Sequence, residues 1–306
     1  MSFINIRHVC NIVLRASNNY FYFKNWAKFK TMKKLFLILV FVQLFVCCSR
    51  ESNKLNEIIK EYESERGYEF NRNESVENTI KYHQAEADFA KKIIKKLEMI
   101  SDEKLSESEV ISRELLLFVL KNKIDFNKYK MYLNTITNEN AFHLNLSRMG
   151  NQTFKNKEQV LNYLEQLDSL PKRVEYNLNI LRASIEEGMS QPRAIFSNYS
   201  YSYEKHIVSN PIKSDFYKPF HMLPDSLSNE FKDSIIKIAN ASIQKNVISQ
   251  YKKIKLFFED EYFPNARKQL GISSISNGKE FYQNRINYFT TSNQYSADDI
   301  HQIGIR

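Results

Sequence analysis

Proline is missing from the first 170 positions of this 306-residue chain, and all six prolines lie at or after Pro171. Glycine is nearly as scarce, with six residues in all. Proline removes an amide donor and breaks helix interiors, while glycine weakens them by about 1 kcal/mol relative to alanine. A long stretch almost free of both favours helices. No two-residue hairpin signal and no sustained alternating strand run competes with that reading. Hydrophobic residues at 42% and charged residues at 26% leave enough apolar side chain for a core. The expected fold class is all-α.

Helix boundaries are legible in several places. Ser106 with Glu109 makes a capping box ahead of an apolar run that includes Ile111, Leu115, Phe118 and Leu120. Val160, Tyr163, Leu164 and Leu167 share one helical face. Ser169-Leu170-Pro171 opens a helix whose Val174, Leu178, Leu181 and Ile185 form a stripe, and Gly188 suits the left-handed position just past its end. Met189 to Asp225, with four prolines and many aromatics, reads as a packed connection. Ser228 then precedes a long helix carrying Phe231, Ile235, Ile238, Val247, Tyr251, Ile254 and Phe258, ending near Pro264.

The formal net charge of +9 resides almost entirely in the first 48 residues, which hold seven Lys and Arg and no acid. The remainder carries 37 basic residues against 35 acidic ones, so the body lacks the clustered positive charge of a nucleic-acid groove. All three cysteines (Cys10, Cys47, Cys48) also lie in the front segment. The body can therefore form neither a disulfide framework nor a Cys-ligated zinc site.

Met32-Lys33-Lys34, then Leu35 to Val46 interrupted only by Gln43, then Cys47-Cys48-Ser49, has the layout of a secretory signal. Twelve helical residues span about 18 Å, well short of the ~30 Å hydrocarbon core, which disfavours a permanent membrane span. The cysteine at the end of the apolar run resembles the lipobox of bacterial lipoproteins. Cys48 is the expected lipidation site, because small Cys47 precedes it. Leu44, three residues before Cys47, leaves that neighbour as an alternative. The expected organisation is a non-native or misplaced start over 1–31, a lipoprotein signal peptide over 32–48, a polar tether or loosely packed first helix over 49–75 and a helical body over 76–306. The expected location is the bacterial cell envelope, periplasm or outer membrane, with the membrane as partner through the lipid anchor and no nucleic acid.

Catalytic motifs are missing. The six histidines include no H-E-x-x-H pair, and there is no G-x-S-x-G elbow, phosphate loop or G-x-G-x-x-G. Glu186-Glu187 and Glu259-Asp260-Glu261 point in different directions on a helix and read as solvated faces. No catalytic, metal or cofactor-binding residue is assigned.

One constellation is specific. Phe257-Phe258-Glu259-Asp260-Glu261-Tyr262-Phe263-Pro264-Asn265-Ala266-Arg267 leads to Gly271, Gly278-Lys279-Glu280-Phe281-Tyr282, Thr290-Thr291 and Ser296-Ala297-Asp298-Asp299-Ile300-His301-Gln302-Ile303-Gly304. Together with Leu181-Arg182, Gly188 and Pro192-Arg193, this closely resembles the bacterial domain-of-unknown-function family 885 (DUF885) over roughly residues 110 to 306. The resemblance implies the N-terminal portion of a large multi-helix fold akin to the gluzincin metallopeptidases. It also implies zinc and a peptide substrate for a full-length member, held on a later helix with an H-E-x-x-P-G-H-type run. That run is not among these residues, so the chain is expected to stop before the zinc-site helix and to be inactive alone. His301, Tyr282 and Arg193 match family positions without an assigned chemistry. A non-enzymatic helical binding or scaffold lipoprotein and a remnant of a disrupted gene are the alternatives.

Overall fold

The structure, a computed structural model, describes residues 50–64, 74–137 and 140–306. Among these the fold is all-α. Cys48 and the signal segment lie outside the described residues. No strand forms among the described residues, and the one isolated bridge joins Pro192 to Arg267. No described helix is long and apolar enough to cross a membrane.

The front unit is three helices: α1 (50–64), α2 (Val76–Leu97) and α3 (Glu107–Lys128). Ser75 caps α2 by accepting the Asn78 amide, and the Ser106 amide donates to Glu109 at 2.8 Å to complete the expected box. Residues 50–64, read from sequence as part of a polar tether or a loosely packed first helix, form a helix that is docked. Leu55, Ile58 and Tyr62 recur every three or four residues, and they pack with Phe89, Ile93, Leu97, Leu116, Leu117 and Leu120. Glu61 adds ion pairs to Lys92 at 3.1 Å and Lys96 at 2.7 Å. The apolar run of α3 divides between two faces. Leu116, Leu117 and Leu120 are buried, whereas Ile111 and Leu115 stay 55% and 60% exposed together with Val119. At 100° per residue these three lie on a different side of the helix from the buried set.

The larger core is built by α4 (Phe142–Ser147), α5 (Lys157–Asp168), α6 (Leu170–Glu186), α7 (Tyr201–Glu204) and a continuous helix over 229–262. That long helix comprises α8 (Asn229–Ser242), a π-helical segment (Ile243–Ile248), α9 (Ser249–Leu256) and a second π-helical segment (Phe257–Tyr262). Ile235, Ala239, Ile243, Val247 and Tyr251 are all buried at a strict spacing of four. Such a stripe drifts about 40° per step around an α-helix, and the wider i→i+5 turns set it back toward one face. Ile238, expected in the stripe, falls off it and is 49% exposed. Asp168 accepts from Ser242 Oγ at 2.8 Å and Asn246 Nδ2 at 2.6 Å, fixing α5 to the first π segment. The connection after Gly188 packs as short 3₁₀ turns, the longest being Asp215–Met222, which buries Phe216, Tyr217 and Phe220.

The C-terminal pair, α10 (Gly278–Thr290) and α11 (Ala297–Ile305), returns toward α3. Phe118 stacks on Tyr288 at 5.0 Å, and Asn284 Nδ2 donates to Asp125 at 2.7 Å. Ser296 and Asp299 form the expected cap, with the Ser296 amide donating to Asp299 at 2.8 Å. No residue of α11 is buried.

The docking of α1 is testable. Leu55→Ala is expected to cost about 2–5 kcal/mol in chemical denaturation, as a buried leucine leaving a cavity does. The exposed control Glu57→Ala should change little. Equal, small effects would restore the tether reading.

Candidate functional site

Three segments, one of them remote in sequence from the other two, meet at one end of the larger core, and they carry the family-like motifs. The first follows α6. Gly188 adopts φ +68°, its amide donates to Ile185 O at 3.0 Å, and the Met189 amide reaches Ser184 O at 2.8 Å. This left-handed cap turns residues 189–193 across the end of the long helix. The second is that helix end itself, where Pro264 cannot extend the ladder and the Asn265 amide turns back to Tyr262 O at 3.1 Å. The third is the turn from Gly271 to Gly278.

Arg267 ties them together. Its Nε donates to Ser190 O at 2.9 Å, and one terminal nitrogen donates to Gly271 O at 2.7 Å and to Ser274 Oγ at 3.0 Å. Its own carbonyl accepts the Arg193 amide at 2.8 Å. Ser190 Oγ donates to Asn265 O at 2.9 Å, and the buried Tyr262 hydroxyl accepts the Gln191 amide at 3.0 Å. One turn back, Arg182 grips Glu261 with two bonds of 2.7 and 2.8 Å. A Cβ on Gly278 would sit 2.0 Å from Ile272 O, so the last turn closes only around glycine.

Grooves open on both sides of this clasp. One is lined by Lys128, Tyr129, Lys130, Glu187, Met189 and Ser276, with Lys130 paired to Glu187. Another, lined by Ile272, Lys279, Tyr282, Gln283 and Ala297, lies where α10 and α11 approach each other. Of the three family positions, Tyr282 lines this groove and is half exposed, while Arg193 and His301 are exposed on separate segments. No group of three or more His, Cys, Asp or Glu side chains able to hold a metal occurs among the described residues. The clasp joins side chains chiefly to backbone groups.

Two histidines that sequence reading did not single out are buried and strongly perturbed. His143 and His206 are 0% and 1% exposed. His143 Nε2 lies 2.9 Å from Ser202 Oγ, and its ring meets Phe142, Tyr199 and Phe258 edge-on. His206 sits 4.4 Å from the Tyr251 ring, and the Tyr251 hydroxyl donates to His143 O at 2.7 Å. Neither nitrogen of His206 has a hydrogen-bond partner, and Asp215 is 3.8 Å away. Burial pushes His143 down to about 3, helped by the nearby His206. Burial also lowers His206 to about 4, helped by Lys205 and opposed by Asp215. Both are neutral aromatic-core residues, and neither stands at a metal-ligand or catalytic-motif spacing.

These features define an all-helical protein whose motif residues form a structural clasp between the end of the long helix and the segment after α6. The chain belongs to the DUF885 family of bacterial proteins of unknown function, whose profile matches residues 61–306. No curated protein matches it. Its fold is similar to a crystal structure from Colwellia psychrerythraea named "putative lipoprotein", with a TM-score of 0.62 at 17% identity. The match covers 86% of this chain and 47% of that one, so the chain spans about half the length of the structure it resembles.

The buried histidines make stability depend on acid. In the unfolded chain each imidazole titrates near its ordinary 6.5, so below that pH the unfolded state binds more protons than the folded one. Their favourable neutral burial is complete above about 6.5 and is lost as pH falls toward 4 and 3. Each is expected to remove about 3 kcal/mol by pH 4. Denaturation of the wild type and a His143→Phe/His206→Phe double variant between pH 7 and 4 checks this. The variant should lose stability less steeply, and parallel curves would contradict it.

Proposed function

We propose that the chain is the helical N-terminal part of a cell-envelope lipoprotein whose complete form is a zinc-dependent peptidase of gluzincin type. Family membership supports this reading, as does the lipobox-like Cys48 behind a short apolar run. The similarity to a structure about twice as long supports the partial extent. The observation that carries it is the open surface at the C-terminal helices. Ile303 and Ile305 of α11 are 55% and 65% exposed, and Phe289 of α10 is 77% exposed. Ile300 and Ile303 stand one turn apart on the capped α11, and a partly open apolar face of that kind is one a further helical layer covers. In this reading the zinc ligands and the general base come from that layer. The residues present here supply the frame: the Arg267 clasp fixes the turn from which α10 and α11 emerge, and the grooves beside it border the space a peptide would enter.

The test compares the 306-residue chain with a form that extends past residue 306 and carries an H-E-x-x-P-G-H-like run. The longer form should hold stoichiometric zinc and cleave peptides in a chelator-sensitive manner, and the chain alone should do neither. A longer form that binds no zinc and cleaves nothing would replace the peptidase by a helical binding or scaffold lipoprotein.

A further inference from the structure

The front of α1 has no slack. Cys48 precedes Arg50 by two residues, and two residues of polypeptide reach at most about 7 Å. From residue 50 onward the chain is helical, and its first turns are fastened to the body. Ser52 hydrogen-bonds Glu109 in the first turn of α3, Glu51 is buried against Lys54 at 2.9 Å, and Leu55 is 1% exposed. An acylated Cys48 so close to a docked helix cannot act as a long leash.

We propose that the lipidated protein stands on the bilayer surface on one defined end, formed by the start of α1, the 98–106 connection and the first turn of α3. The α2 and α3 pair is then a rigid spacer, and the groove beside Lys128 faces away from the lipid. This rests on the lipoprotein reading above and adds the orientation.

The chemistry of that end fits contact imposed by the tether. Met99, in the connection, is 75% exposed, while the next residue, Ile100, is anchored in the core. A flexible, polarizable thioether is suited to an interfacial contact. The charges there are mixed. Arg50, Lys54 and Lys104 all act on the Glu51 carboxyl, which is lowered chiefly by the Lys54 hydrogen bond. Glu98, Asp102, Glu103 and Glu107 share the connection and turn, with Asp102 paired to Arg113 at 3.0 Å. Such a surface has no net pull toward anionic lipid, so the covalent anchor sets the contact.

The opposite end is remote. α2 has 22 residues, a length of about 33 Å at 1.5 Å per residue. Lys128, the last residue of α3, lines the groove that also holds Ser276. The other posture would lay α3 flat on its Ile111, Leu115 and Val119 stripe. That stripe flanks Glu114 and Phe118, which line a second groove together with Asn284, Asn287 and Tyr288 of α10. The stripe's first member, Ile111, lies just past the first turn of α3, but Leu115 and Val119 run up the helix beside the C-terminal pair and away from the tethered end.

The body from Ser49 to Arg306 has no cysteine, so single labels can be placed in the full chain once Cys48 is acylated. Met99→Cys, Leu115→Cys and Ser276→Cys would be expressed as lipoproteins, labelled with a fluorophore and reconstituted into vesicles carrying a chain-brominated quenching lipid. One set is pure phosphatidylcholine and the other mixes in phosphatidylglycerol. Quenching should be strong at Met99, weaker at Leu115 and absent at Ser276, in the same order in both compositions. Equal quenching at Met99 and Ser276, or strongest quenching at Leu115, overturns the upright orientation. Mass spectrometry of the mature N-terminal peptide separates the two levels. An acylated Cys48 with the wrong quenching order removes the orientation alone, whereas an unmodified N-terminus removes the lipoprotein reading with it.

Discussion

A single guanidinium fastens the segments that meet at the end of the long helix. Arg267 follows the long helix by five residues, and its acceptors are neutral oxygens from Ser190, Gly271 and Ser274. Lysine could not replace it, because a point charge on a flexible stem does not present a planar fork to acceptors on two segments. Through this one side chain the exit from α6, the end of the long helix and the turn into α10 take fixed relative positions. The grooves and the open face of α11 are consequences of where that turn points.

The long helix supplies the other constraint. Its buried residues repeat every four positions, a spacing an unbroken α-helix cannot keep on one face, and two π segments absorb the mismatch. The second one, Phe257–Tyr262, lies within the family-like motif and aims Phe258 at His143 and Tyr199 while Glu261 reaches Arg182. Its run of aromatic and acidic residues thus has a packing reason: Phe258 goes inward against the neutral His143, and Glu261 goes outward to Arg182.

Much of the fold was legible in the sequence. The capping pairs Ser106 with Glu109 and Ser296 with Asp299, the glycine at 188 and the stop at Pro264 are local chemistry, and local chemistry survives folding. The docking of α1 was harder to see, because three apolar residues among many glutamates resemble a tether until a partner surface exists. The division of α3 into a buried and an open face has the same cause: periodicity tells that a residue is apolar, and the neighbouring helices decide which side they cover. The clasp was visible only as an ordered set of motifs. That Arg267 bonds to carbonyls, which leave no trace in residue identity, could not be read from side-chain types. His143 and His206 had no signal except aromatic neighbours.

The clasp is tested most directly by amide hydrogen exchange of the full chain, wild type against Arg267→Lys. The amides of Gln191 and Arg193, which donate to Tyr262 Oη and Arg267 O, should be protected in the wild type. In the variant their protection should fall selectively, along with that of the Gly278 turn, while α5 keeps its own. Unchanged protection at Gln191 and Arg193 would show that the segments are held by burial alone and that the arginine does not organise them.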